Sequence, residues 1–152
     1  MDAGMEGRAG APFSMVVEGG KIREFARAVR ASHHSYLAAR VPVAPPTFLV
    51  TEQFWRGPES NPIGENSLNV ARLLHGAQEF TFHGSPPRAG DRLIGVARVD
   101  KVYEKIGRRG GNMSFVELVT EYRDARGALI AESCATLIET SGSSDGRVET
   151  AG

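Results

Sequence analysis

The stretch Thr47-Phe48-Leu49-Val50-Thr51-Glu52-Gln53-Phe54-Trp55 decides the fold. Pro45 and Pro46 precede it, and a proline suits the first turn of a helix, where a missing N–H costs nothing. Apolar residues then fall on most sides of the helix that follows. A helix that is apolar nearly all round belongs inside a protein rather than on its surface. The turn-rich segment from Arg56 to Asn66 ends it.

Upstream, Phe13 to Val17 reads as a short strand closed by Gly19-Gly20. Lys21 to Ser32 follows as a helix with Gly20 as its N-cap. Ile22, Phe25, Ala26 and Val29 form its apolar stripe, at i, i+3, i+4 and i+7, with Arg23, Arg27 and Arg30 off it. Downstream of Asn66 the period changes from 3.6 to 2. Gln78 to His83 places Phe80 and Phe82 on one face. In Arg92 to Lys105, Ile94 and Val96 alternate against Gly95 and Ala97. Met113 to Tyr122 and Ala128 to Thr140 are two further long strands, preceded by the Gly107–Asn112 turn and joined by Asp124-Ala-Arg-Gly127, a hairpin turn. Strands linked by such short turns make an antiparallel sheet.

Two early helices, one of them too apolar for a surface, and then a run of long antiparallel strands define an α+β class. A sheet curled around a buried central helix satisfies both facts, and that arrangement is the hot-dog fold. Residues 13–140 form the single domain. Residues 1–12 and 141–152 are small, polar and glycine-rich, and read as flexible tails.

A chain of 152 residues, 41% hydrophobic and 24% charged, builds one core without a disulfide or metal. Its 18 basic and 18 acidic side chains balance, which argues against a nucleic-acid or anionic-membrane binder. Cys134 is the single cysteine, so the expected setting is the reducing cytoplasm. No stretch approaches the ~20 apolar residues of a membrane span, and the N-terminus lacks a signal-peptide pattern.

Four motifs sharpen the fold reading: Lys21-Ile-Arg-Glu-Phe-Ala-Arg-Ala-Val29, Pro42-Val-Ala-Pro-Pro-Thr-Phe48, Leu74-His-Gly-Ala-Gln-Glu-Phe-Thr-Phe82 and Arg88-Ala-Gly-Asp91. In this order they resemble the N-terminal-type MaoC-like dehydratases, a group that includes A-type subunits of (3R)-hydroxyacyl-ACP dehydratases. The resemblance implies a dimer of hot-dog domains acting on β-hydroxyacyl thioesters carried by acyl-carrier protein or CoA, with no cofactor. Active relatives hold an Asp and a His in a Gly-Asp-x-Asn-Pro-x-His stretch after the first helix. One group moves the α-proton, the other manages the water, and a backbone N–H steadies the thioester oxygen.

Laid on that stretch, Arg30 falls at the Gly, Ala31 at the Asp and Tyr36 at the His; a register slid by one puts Ser32 and Leu37 at the Asp and His. Neither register contains a carboxylate–imidazole pair. The position of the oxyanion N–H is Pro46, which has none. The resemblance therefore implies a non-catalytic subunit whose B-type partner brings the Asp–His pair, with a homodimer as the other arrangement. Tyr36, Pro46, Thr47, Phe48, Trp55 and Phe80 are then candidates for the substrate wall, the alternative for the aromatics being ordinary core.

Glu52 on the central helix, paired with His33 or His34, is the competing catalytic set, which would make the chain an independent thioesterase or dehydratase. The bland reading has both histidines exposed at a helix end. They are adjacent and unaccompanied by spaced ligands, so no metal site is expected. A third reading is an acyl-thioester binding module without turnover. Arg88, Arg108 and Arg109 are candidates for a rim that meets an acidic carrier protein or the phosphates of CoA, or else a solvated hairpin end.

Overall fold

The computed structural model describes residues 3–64, 67–107 and 111–141. Helix α1 spans Gly19–Ala28, and a single turn of helix, α2, spans His34–Leu37. A 3-10 helix over Phe48–Phe54 occupies the central position, and five strands follow the chain: β1 Phe13–Val16, β2 Leu73–Phe82, β3 Arg92–Ile106, β4 Asn112–Arg123 and β5 Leu129–Thr140. They form one antiparallel sheet in the order β1-β3-β4-β5-β2. All five strands send side chains into a core shared with α1 and the central helix: Met15, Leu93, Tyr122, Ala131 and Phe80 meet Ile22, Phe48 and Leu49. This is the hot-dog arrangement expected from the pattern.

The apolar stripe of α1 docks it there. Ile22 and Ala26 are buried, and Phe25 meets Phe48 edge-on with ring centroids 5.7 Å apart. The helix stops at Ala28 instead of Ser32, and its N-cap is Glu18 instead of Gly20. Arg30 turns left-handed (φ 57°), its N–H returning to the Arg27 carbonyl and that of Ala31 to the Ala26 carbonyl. These paired bonds close a helix end, so Val29 becomes a half-exposed cap.

Three expectations are corrected. The Thr47–Trp55 segment is a short 3-10 helix buried on one face: Phe48, Leu49 and Thr51 are inside, while Val50 is exposed and Phe54 is 67% exposed beneath the Lys21 ammonium. An apolar count around the helix overstated its burial, because one chain covers only one side of it. In β3 the core face is Leu93, Gly95, Ala97 and Val99, and Ile94 is 41% exposed. The Phe13 ring lies where a Gly95 side chain would project, so the core is filled from β1 and β3 contributes small residues there.

The third correction concerns the N-terminus. Met5 is buried with Ile63, Val99 and Val116, and residues 7–10 exchange backbone hydrogen bonds with Ala97 and Val99 of β3. Glu6 accepts from the Val102 N–H at 2.7 Å. What read as a polar tail prolongs the cover of the β3 edge past β1, and backbone pairing offsets its lack of apolar bulk. Of the C-terminal tail, residues 142–152 lie outside the described residues.

Among the described residues the opposite sheet edge is left open. β2 is ten residues long, pairs with β5 on one side only, and carries Glu79 as its single formal charge. Among the described residues no helix is long and apolar enough to cross a membrane.

Candidate functional site

The loop after α1 carries the residues that the sequence reading set on the family's acid–base stretch. Arg30 is the one non-glycine residue with a left-handed φ among the described residues. A glycine sits in that conformation without strain, and Arg30 is the residue that one of the two registers sets at the family's Gly. That register sets Ala31 at the Asp position and Tyr36 at the His position; the other sets Ser32 and Leu37 there. His33 uses its Nδ1 to accept the Ser35 N–H at 3.2 Å, capping α2, and its ring lies 5.7 Å from that of Tyr36. His33 and His34 are exposed, and Tyr36 is half-buried.

Glu52 is occupied elsewhere. Its Oε1 accepts from Arg56 at 2.9 Å, and its Oε2 accepts from the Tyr122 hydroxyl. Among the described residues no hydrogen bond or ion pair joins it to either histidine. Tyr122 is fully buried; burial first, then the Glu52 carboxylate, push its phenol well above the usual tyrosine value. The Ser133 hydroxyl lies beside that phenol and accepts from Gln78 Nε2 at 2.7 Å. A polar chain thus runs from Arg56 through the central helix and the sheet to β2. The i,i+4 spacing of Glu52 and Arg56 was the one trace of it in the sequence.

The candidate wall residues scatter. Phe48, Trp55 and Phe80 pack in or against the core, while Pro46 and Thr47 are exposed at the entry to the central helix. Arg88 is exposed, its backbone N–H donating to Asp91; Arg108 and Arg109 lie outside the described residues. His83 pairs with Glu132 at 2.6 Å. Burial, then Glu117 and Glu79, raise the Cys134 thiol pKa, which makes it a poor nucleophile.

An open cavity of about 570 Å³ lies at the other end of the central helix. Gln53, Arg56 and Asn61 supply its polar side. Leu118 and Leu137 of the sheet form its apolar wall, and Leu68, Val70 and Leu73 carry that wall to the start of β2. Val70, 80% exposed, stands at its mouth beside the open edge. None of Tyr36, Pro46, Thr47, Phe48, Trp55 and Phe80 lines it. The sequence reading missed it because Arg56 to Asn66 read as a turn-rich loop. It forms beside the Met5, Ile63, Val99 and Val116 cluster, against which Leu68, Leu118 and Leu137 pack.

Comparison with known proteins agrees with this architecture. Residues 4–133 match the family model described as "FAS1-like, dehydratase domain region". A UPF0336 protein of Clavibacter michiganensis is 35% identical over 138 residues, which cover 86% of this chain and 87% of the relative. The C-terminally truncated HadBC complex of Mycobacterium tuberculosis, a (3R)-hydroxyacyl-ACP dehydratase, superposes with a TM-score of 0.63 at 25% identity, over 85% of this chain and 95% of the matched one. The ChsH1–ChsH2 complex of the same organism superposes at 0.67 with 17% identity, over 90% and 87%, a likeness of fold. The chain has the hot-dog fold, and it belongs to the FAS1-like dehydratase domain-region family and to the UPF0336 proteins.

Proposed function

We propose that this protein is the substrate-holding subunit of a heteromeric (3R)-hydroxyacyl-thioester dehydratase or hydratase of fatty-acid or polyketide metabolism, working in the cytoplasm. The observation that carries the reading is the pairing of a dehydratase fold with Ala31 and Tyr36 where a carboxylate and an imidazole would be needed. The partner, a B-type hot-dog subunit, brings the Asp–His pair that moves the α-proton and the water. This chain contributes the cavity, into which the acyl group extends.

The open edge of β2 supports the place of that partner. A long, nearly uncharged edge strand is a template for pairing with another chain, and unpaired proteins normally guard it with lysine, proline or a covering segment. A hot-dog partner adding its own strand there would continue the sheet and close the mouth of the cavity beside Leu73 and Val70. HadBC and ChsH1–ChsH2 are themselves complexes. Glu52, spent on Arg56 and Tyr122, is better placed to hold the central helix than to activate water.

The test is a reconstitution. Purified alone, the chain should leave 2-enoyl and 3-hydroxyacyl thioesters unchanged. Co-expressed with a hot-dog subunit bearing the Asp–His motif, it should co-purify and turn them over, followed through the enoyl-thioester absorbance. Robust turnover by the chain alone defeats the proposal, as does failure of every such partner to bind.

A further inference from the structure

The cavity holds hydrogen-bonding capacity that a plain hydrocarbon chain would leave unused. Arg56 is fixed by the Glu52 carboxylate at 2.9 Å, by the Ser60 carbonyl at 3.0 Å, and by the Phe13 ring, 5.8 Å from its guanidinium carbon. A guanidinium has five N–H donors; these bonds engage two, and the rest have no acceptor among the described residues. The Gln53 carboxamide, also on the cavity wall, has no hydrogen-bond partner among them either. Asn61 Oδ1 accepts the Ile63 N–H at 3.1 Å, which leaves its amide with one long contact to the Gly64 carbonyl. The spare capacity is mostly donors, and the charge of Arg56 is already balanced by Glu52.

We infer that the polar side of this cavity receives an uncharged oxygen, hydroxyl or keto, carried on the acyl chain beyond the thioester. This rests on the acyl-binding reading above and narrows its substrate class to oxygenated chains. A saturated chain would strip water from Arg56 and Gln53 and return nothing, and burying a donor unpaired is costly. A terminal carboxylate would meet Glu52 close behind the guanidinium and gain little from a cation already paired. A neutral acceptor matches the donors without adding charge, while Leu118 and Leu137 take the methylenes on either side.

Calorimetric titration of the full chain tests this with CoA thioesters of one chain length: dodecanoyl, a set with a hydroxyl moved along the distal half, and the mono-thioester of dodecanedioic acid. One hydroxyl position should bind roughly tenfold more tightly than the plain chain, the yield of one or two good hydrogen bonds. The carboxylate should bind less tightly than the plain chain. In Gln53→Leu, an exchange at an exposed position, the plain chain should tighten and the hydroxyl advantage fall to about twofold. Equal binding of plain and hydroxylated chains, or preference for the carboxylate, overturns this inference and leaves the acyl-binding reading intact. Binding of no chain at all removes both.

Discussion

Removing the Tyr122 hydroxyl is the sharpest test of how the central helix is held to the sheet. In Tyr122→Phe the ring keeps its place and its edge-on contact with Phe13, at 6.5 Å between centroids. Lost are the hydrogen bond donated from a fully buried phenol to the Glu52 carboxylate and that phenol's weaker link to the Ser133 hydroxyl. Bonds to a charged acceptor contribute about 1.5–3 kcal/mol net. Arg56 still compensates Glu52 at 2.9 Å, so the lower half of that range applies, about 2 kcal/mol. For a chain of this size the loss lowers Tm by about 6–8 °C.

The pH dependence supplies a second readout. Burial and Glu52 raise the phenol pKa in the folded state above its unfolded value. The stability this confers is complete below the unfolded pKa of about 10 and drains above it, by up to about 1.4 kcal/mol per pH unit, as the unfolded chain ionises and the folded one does not. The variant has no such drain. Thermal melts followed by circular dichroism should therefore show the gap between wild type and Tyr122→Phe narrowing from about pH 9 to pH 11. A variant melting within about 1 °C of wild type at neutral pH, or a gap that widens with alkali, refutes the reasoning.

Two further perturbations probe the fold that positions the site. Arg30→Gly relieves a left-handed backbone at an exposed helix end, and should stabilise the protein by about 0.5–1 kcal/mol, raising Tm by about 2–3 °C; an unchanged or lower Tm argues against the strain. Gly95→Ala drives a methyl into the Phe13 ring and should cost about 2 kcal/mol in chemical denaturation. Adding Phe13→Leu should recover part of that loss, and additive losses in the double mutant would show that the two residues do not compete for space.

Local pattern made much of the fold legible. Period-2 alternation with turn residues announced β2 to β5 and their antiparallel sense, though not that β2 lies beside β5 instead of β3, and the Ile22–Phe25–Ala26 stripe announced α1. The N-terminal segment escaped because its hold on β3 is backbone pairing, which leaves no mark in side-chain composition. The inward face of β3 escaped because alternation fixes the period of a strand and not its phase; the phase follows from where the Phe13 ring lies.

The same division runs through the site. The sequence by itself determined that this is an α+β chain of hot-dog type and that neither register on the acid–base stretch, Ala31 with Tyr36 or Ser32 with Leu37, offers a carboxylate–imidazole pair. Both follow from residue identity and spacing along the chain. Only tertiary structure decided that Glu52 binds Arg56 and Tyr122 instead of a histidine, that Phe48, Trp55 and Phe80 serve the core, and that a cavity opens behind Gln53 and Arg56. Tyr122 stands 70 residues from Glu52, and Leu137 still farther from Gln53. Which polar groups meet, and where packing leaves a void, depends on how the sheet closes over the central helix, and no local period carries that information.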